Sequence, residues 1–360
     1  MLSTFSSCVR FRPAVQSTPA ACLIAIFYCG MAFCQEPSEL PVIELKTSTI
    51  ELEAPVEKAC VGGRGRFLIA SLRDRREVVV VDLVRRFVSF TIPLGEEDVE
   101  LAAGTTLLHV VAPDSGLFQS WDLRTGERYR ETAWPLAGHV KNIAMGSGNN
   151  RRLAVCFADS PHAKEPVQWA TIELPSMEVQ RLAIADDLPA TDFQLQASTD
   201  GNVFVARSST STLQHTGVVW IDPSHAEWLP WPDAPKNIRL NESGSRLLTD
   251  TGAFSFELTK DQSTGMEDIA RCVPALTGPM YLTQQFHDEA DAWTLRSFDR
   301  RSALATIRFD QRFSDRDATT VSKLGRPLLF SVEGRYFVTL KDDTGVVLHH
   351  FDAGELTMDD

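Results

Sequence analysis

Basic residues are scarce: 35 Lys and Arg stand against 48 Asp and Glu in 360 residues, a net charge of −13. A nucleic-acid partner is gripped through its phosphates by a basic footprint, so none is expected here. No block of like charge marks an interaction tail. With 43% hydrophobic and 23% charged residues, the composition also excludes polytopic membrane, collagen-like and disordered classes. No stretch longer than about 12 residues carries a convincing period of 3.6, which rejects a helical solenoid. Catalytic signatures are missing too: there is no GxSxG elbow, GxxxxGK[ST] loop, dinucleotide fingerprint or HExxH pair.

What is present begins with a distinct leader. Residues 1–19 hold Arg10 and Arg12 and no acid, and Ala20 to Cys34 reads AACLIAIFYCGMAFC without a charge. A basic stretch followed by a short apolar one, ending at Ala32-Phe33-Cys34 before Gln35, has the form of a secretory signal. The apolar part falls short of the roughly 20 residues that cross a bilayer. The expectation is therefore a signal peptide over 1–34, cleaved to leave a periplasmic or secreted chain of 35–360. An uncleaved N-terminal membrane anchor is the alternative. Phe33 ahead of Cys34 argues against a lipoprotein, and the separated Arg10 and Arg12 argue against a twin-arginine signal. Removing the leader leaves 33 basic residues against 48 acidic ones, or −15, and only Cys60, Cys156 and Cys272. An odd number without CxxC spacing supports neither a disulfide framework nor a metal site, and buried apolar thiols are expected.

The rest of the chain repeats. A glycine or turn, an apolar run, a polar loop and a second apolar run ending in an acid beside a hydrophobic residue recur seven times. The first copy is Gly65-Arg66-Phe67-Leu68-Ile69-Ala70 with Val78-Val79-Val80-Val81-Asp82-Leu83, and the second ends in Gln119-Ser120-Trp121-Asp122-Leu123. The acids fall at 82, 122, 173, 222, 257, 299 and 352, with a mean spacing of 45 residues. That is the length of one four-stranded propeller blade, and seven copies suit a closed ring. Between anchors lie two more strands, such as Phe87 to Ile92 on the outside of one blade and Val99 to Ala103 on the inside of the next. In the fifth repeat the third strand is expected to begin at Phe254 and run to Leu258. After Asp352 too few residues remain for an outer strand, whereas Thr47 to Leu52 precede the first blade as a surplus. The predicted architecture is all-β, a seven-bladed β-propeller over 35–360 closed by an N-terminal velcro strand, which removes exposed edges.

The phrases Val61-Gly62-Gly63-Arg64-Gly65-Arg66-Phe67-Leu68, Glu97 to Gly104 and Ile143-Ala144-Met145-Gly146-Ser147 carry a likeness that can be named. The chain resembles WD40-like or YVTN-like seven-bladed β-propellers, specifically uncharacterised secreted bacterial members. Only Trp121-Asp122 is a literal WD pair and only Gly138-His139 matches the GH signature, so the Asp–His network of true WD40 blades is mostly missing. The resemblance implies a fold, and function must be argued separately.

Loops on a rigid scaffold concentrate binding residues. The loops joining the second and third strands of each blade share one rim and carry Arg75, Arg76, Asp114, His162, Lys164, His215, His287, Asp288, Asp342 and Asp343. These are the candidate partner-binding residues. Other features read as structural. His349 and His350 project to opposite faces of a strand and do not form one metal site. Asp315-Arg316-Asp317 lacks the glycine turn of a Ca²⁺ loop. Trp228-Leu229-Pro230-Trp231-Pro232 suits packing and edge protection on an outer strand. Asn241-Glu242-Ser243 has sequon spacing by chance. The function expected is a non-enzymatic module, monomeric and without cofactor, that binds a protein or cell-envelope component through its rim loops. A propeller enzyme of lactonase or quinoprotein type is the alternative.

Overall fold

The computed structural model describes residues 40–43, 45–72, 74–160, 167–184, 193–208, 217–222, 225–231, 238–249, 252–255, 269–285, 292–298, 300–308, 329–330, 336–341 and 344–350. Two strands come first, β1 (Val42–Ile43) and β2 (Lys46–Glu51). Blade 1 follows as β3 (Val56–Gly62), β4 (Phe67–Leu72), β5 (Glu77–Asp82) and β6 (Phe87–Pro93). Blade 2 is β7 (Glu100–Ala103), β8 (Leu107–Ala112), β9 (Leu117–Asp122) and β10 (Arg128–Ala133). Blade 3 is β11 (His139–Ala144), β12 (Arg152–Ala158), β13 (Gln168–Glu173) and β14 (Glu178–Leu182). Blade 4 is β15 (Phe193–Ala197), β16 (Phe204–Ser208), β17 (Gly217–Ile221) and β18 (Ala226–Pro230).

Three described strands make blade 5, β19 (Ile238–Leu240), β20 (Leu247–Thr249) and β21 (Gly252–Phe254). The third strand begins at Gly252, at the end of the short loop between the second and third strands, and takes in Phe254. Thr249 Oγ1 donates to the Gly252 carbonyl at 2.9 Å, and Thr249 and Gly252 are paired across β20 and β21. Blade 6 is β22 (Ile269–Pro274), β23 (Met280–Gln285), β24 (Ala292–Ser297) and β25 (Arg300–Arg308). Blade 7 is β26 (Leu329–Phe330), β27 (Tyr336–Lys341) and β28 (Gly345–His350), with β2 hydrogen-bonded antiparallel to β28 as its outer strand. One feature was not foreseen: β1 adds parallel to the outer edge of β25, so the N-terminal segment touches blade 6 before it completes blade 7.

Valine-rich runs such as β5 favour an extended backbone, and they are buried on both faces because each blade is packed between two others. Val78, Val79, Val80 and Val81 are all buried. The apolar side chains fall into seven clusters, one per interface between successive blades. Leu68, Val79 and Val81 of blade 1 pack with Tyr336, Val338, Val346 and Leu348 of blade 7, so the last blade rests against the first. Trp231 meets Phe254 edge-on at 4.9 Å, which makes the aromatic cluster of blade 4 a contact to blade 5. Truncating a fully buried ring such as Phe337 or Trp293 to alanine costs about 3–5 kcal/mol in such settings.

The inner strands crowd one end of the axis. Gly62, Gly104 and Gly146 close β3, β7 and β11 where the next blade's turn comes nearest. A Cβ on Gly104 would lie 2.0 Å from the Asn149 carbonyl oxygen, and one on Gly146 would lie 2.3 Å from the Gly201 nitrogen. Backbone bonds run between blades here: Gly63 donates to Gly104, Arg64 to Ser147, Thr105 to Asn149, Gly148 to Thr199 and Asp200 to Glu242. These turns knit blades 1 to 5 together at this end.

The acidic anchors have a local cause. Asp82 is 2% exposed, and its Oδ1 accepts from the amides of Val84 and Arg85 while Oδ2 takes Arg66 at 2.7 Å. Asp122 Oδ1 accepts from Arg124 and Thr125, and Asp222 Oδ1 from His225. Each carboxylate caps the turn between the third and outer strands, as aspartate does when it mimics a backbone turn. Four residues after the first three anchors, Arg86, Gly126 and Met177 all take positive φ. Anchors 257, 299 and 352 lie outside the described residues.

Candidate functional site

At the opposite end of the axis the inner strands begin, and charge gathers there. The connector from β6 to β7 carries three acids in succession, each with a different partner. Glu96 accepts from the amides of Asp114 and Ser115 on the blade 2 rim loop, at 3.1 and 2.7 Å. Glu97 takes Arg76 of the blade 1 rim loop, with Nε at 3.1 Å. Asp98 turns inward to Lys58 Nζ at 2.6 Å. Lys58 also reaches Glu100 Oε1 at 2.7 Å and the Val99 carbonyl at 3.0 Å. Burial opposes the charge on Lys58, but Glu100 and Asp98 outweigh it and its pKa is raised. Glu100 is 8% exposed, and burial pushes its carboxyl up to about 7 against the pull of Lys58.

Of the candidates read from the sequence, the structure places Arg75, Arg76 and Asp114 on this rim, exposed, in the loops between β4 and β5 and between β8 and β9. Arg75 pairs with Glu53 and Glu77, and Arg76 with Glu97. Their charges are held in fixed positions by neighbours on the same face. His162, Lys164, His215, His287, Asp288, Asp342 and Asp343 lie outside the described residues.

Along the axis runs a cavity of about 380 Å³, walled by the inner strands. Side chains two residues apart share the facing side of a strand. Lys58, Glu100, Asn142 and Gln194 line it near the mouth, and Cys60, Ala102, Ala144 and Gln196 follow two residues on. Arg239 takes the place in β19 that Gln196 has in β15. Both stand two residues before equivalent turn-closing bonds, Asn241 to Arg246 and Ser198 to Val203. Ser147 and Thr199 line the cavity from the knitted turns. Burial pushes the Cys60 thiol up to about 12, so it is a neutral wall residue rather than a nucleophile. Burial also lowers Arg239 to about 10, still charged at neutral pH.

Among the described residues, two buried histidines serve the sheets. His109 Nδ1 meets Ser120 Oγ at 3.0 Å and its ring stacks on Phe118. His349 Nε2 meets Thr339 Oγ1 at 3.0 Å and stacks on Phe337, while His350 tilts against Tyr336. Among the described residues no three His, Cys, Asp or Glu side chains gather to hold a metal ion.

The sequence reading missed Lys58, Glu100, Ser147 and Arg239. A signal existed for three of them: Glu100 and Arg239 are the charged residues of the short inner strands β7 and β19, and Lys58 precedes the run Ala59-Cys60-Val61 of β3, where an ionised side chain needs a polar axis to face.

No family model matches the sequence, and no curated protein does. Among solved structures, the fold is similar to the β-propeller domain of Cps50 (Swd1) from Myceliophteria thermophila. The TM-score is 0.51 at 14% identity, over 84% of this chain and 99% of that one. Together with seven sheets in a ring, the likeness defines the chain as a seven-bladed β-propeller with a WD40-like fold. At that identity it carries the fold alone.

Proposed function

We propose that this propeller is a non-enzymatic binding module outside the cytoplasm, docking a protein or cell-envelope component on the rim that carries Arg75, Arg76 and Asp114. The observation that carries the proposal is the acidic connector. Glu96, Glu97 and Asp98 fix the rim loops of blades 1 and 2 and the axial Lys58 into one array. Charges held in place before a partner arrives lose less entropy on binding, and complementary patterns of them set orientation and partner choice. The opposite end is tied by backbone bonds between turns, which commits its polar groups internally. The leader over residues 1–34, basic and then apolar, supports an address outside the cytoplasm.

The test places a photo-crosslinking side chain at Asp114 or Arg76, and as a control at Arg124 on the opposite rim, in cells expressing the full chain. A defined adduct from Asp114 and Arg76 but not from Arg124 is expected. Equal labelling from both rims, or none from either, would overturn the proposal. Fractionation of the same cells tests the location, with the chain expected in the envelope or medium.

A further inference from the structure

We infer that the axial cavity binds a neutral polyhydroxylated molecule of monosaccharide size, its hydroxyls met by the side-chain amides of Asn142, Gln194 and Gln196 and its carbon face by the apolar wall across the ring. The inference stands apart from the rim proposal, because it concerns side chains inside the ring.

Size comes first. A volume of about 380 Å³ falls within the range of small-molecule sites and is too small for a folded partner. Charge comes second, and it points away from an ionic ligand. Lys58 is taken by Asp98 and Glu100 together, at 2.6 and 2.7 Å. Arg239 has an interaction of its own. The charged side chains of the lining, Lys58, Glu100 and Arg239, are thus all committed within the protein. Pulling one away to hold an ion would strand its partner, which is costly at a buried site.

The polar capacity that remains is neutral, and it gathers on one side of the axis. Asn142 of blade 3 and Gln194 and Gln196 of blade 4 line the cavity half-buried, and their side-chain amides make no hydrogen bond among the described residues. Gln194 and Gln196 stand two residues apart on β15 and so share its axial face. Ser147, 6% exposed, joins them from the turn after β11, and its Oγ is buried without a hydrogen-bond partner among the described residues. Amides and a hydroxyl both donate and accept, as a sugar hydroxyl does.

Across the ring from blades 3 and 4 the wall is apolar. Pro274 at the end of β22, Ala275 and Leu276 after it, and Val338 of β27 line that side. A sugar ring presents the same two characters, hydroxyls around its edge and C–H groups on its flat face. An apolar ligand would leave the amides unpaired. Water alone satisfies amides but keeps the apolar wall wet, whereas a carbon face covers it.

The test titrates the folded chain at pH 7 and constant ionic strength with glucose, galactose, mannose and N-acetylglucosamine. Sodium gluconate is the charged control that keeps the hydroxyls, and cyclohexanol is the ring control that keeps only one. Titration calorimetry and ligand-observed magnetic resonance are expected to show saturable binding of at least one sugar, at least tenfold tighter than gluconate or cyclohexanol. Gln196→Leu, which removes the amide and keeps much of the volume, should weaken that binding about tenfold. Should it fail to fold, Asn142→Leu and Gln194→Leu carry the comparison, each checked by circular dichroism. No saturable binding of any of the sugars at 50 mM would overturn the inference. So would gluconate or cyclohexanol binding as tightly as the sugars, or binding unchanged in the folded amide variants.

Discussion

Lys58 on the inner strand of blade 1 and Glu100 on that of blade 2 meet at 2.7 Å, an ion pair that spans two blades at the mouth of the axial cavity. It is not a simple source of stability. Taking both groups out of water is costly, and the raised pKa of Glu100 records that its charge is disfavoured by burial even with Lys58 beside it.

The first prediction follows from that sign. A carboxyl with a folded pKa of about 7 and an ordinary value of 4.5 stabilises the fold in its protonated form. That contribution is complete below pH 4.5 and is lost as pH rises through 7. Asp98 and Glu57 act in the same direction as burial, and Lys58 against it. Urea melts of the native chain and Glu100→Gln between pH 4.5 and 8 should diverge, the native chain losing about 3 kcal/mol relative to the variant. Parallel curves would refute this.

The buried histidines predict the opposite slope at lower pH. Burial lowers His109 to about 3, and burial with the nearby His350 lowers His349 to about 4. Stability held by the neutral rings is present above pH 6.5 and is lost as pH falls through 4 and then 3. His109→Gln keeps a polar partner for Ser120 and removes the titration. Its unfolding free energy should fall less steeply than the native chain's between pH 6 and 3, by several kcal/mol over the range.

A pair of glycines offers a steric contrast. A Cβ on Gly95 would meet nothing within 4 Å, whereas one on Gly104 would face the Asn149 carbonyl at 2.0 Å. Gly104→Ala should cost about 3 kcal/mol or more by forcing blades 2 and 3 apart. Gly95→Ala should stay within about 0.5 kcal/mol of the native chain. Chemical denaturation of both measures the difference directly.

Removing the strand that completes blade 7 should have the largest effect. Ile50 and Leu52 are buried with Leu348, Val346 and Tyr336, and β2 pairs with β28 along its whole length. Deleting residues 41–55 exposes that edge and empties part of the cluster. Cooperative thermal unfolding by calorimetry should be lost, and a sharp transition in the truncated chain would contradict this.

The blades were legible because their determinants are local. The run Val78 to Val81 can only be a strand buried on both faces, and Asp82 marks its end because an aspartate caps the turn that follows. Spacing of such anchors counted the blades. The cavity was not read: Lys58, Glu100, Ser147 and Arg239 belong to four different blades, and although Lys58 and Glu100 stand about one repeat apart, only the closed ring brings the four inner segments to one axis. The parallel pairing of β1 with β25 was hidden for the same reason: two residues carry no pattern, and their partner lies far along the chain. On the rim, Arg75 and Arg76 were found as loop residues, but their ion pairs with Glu53 and Glu97 depend on neighbouring connectors that only the folded ring brings close.

The pairing of Lys46 with His350 joins two positions near opposite ends of the propeller sequence. A strand made before all seven blades is therefore among the last to find its place. Until β28 exists, β2 has no sheet to join, and a contact between such distant positions forms slowly because its loop must close before any bond rewards it. A chain that emerges from a ribosome or a translocation pore must carry this strand unpaired while six blades assemble behind it. The Lys46, Glu51 and Glu53 side chains around it, charged and exposed, keep that waiting edge from pairing with another copy.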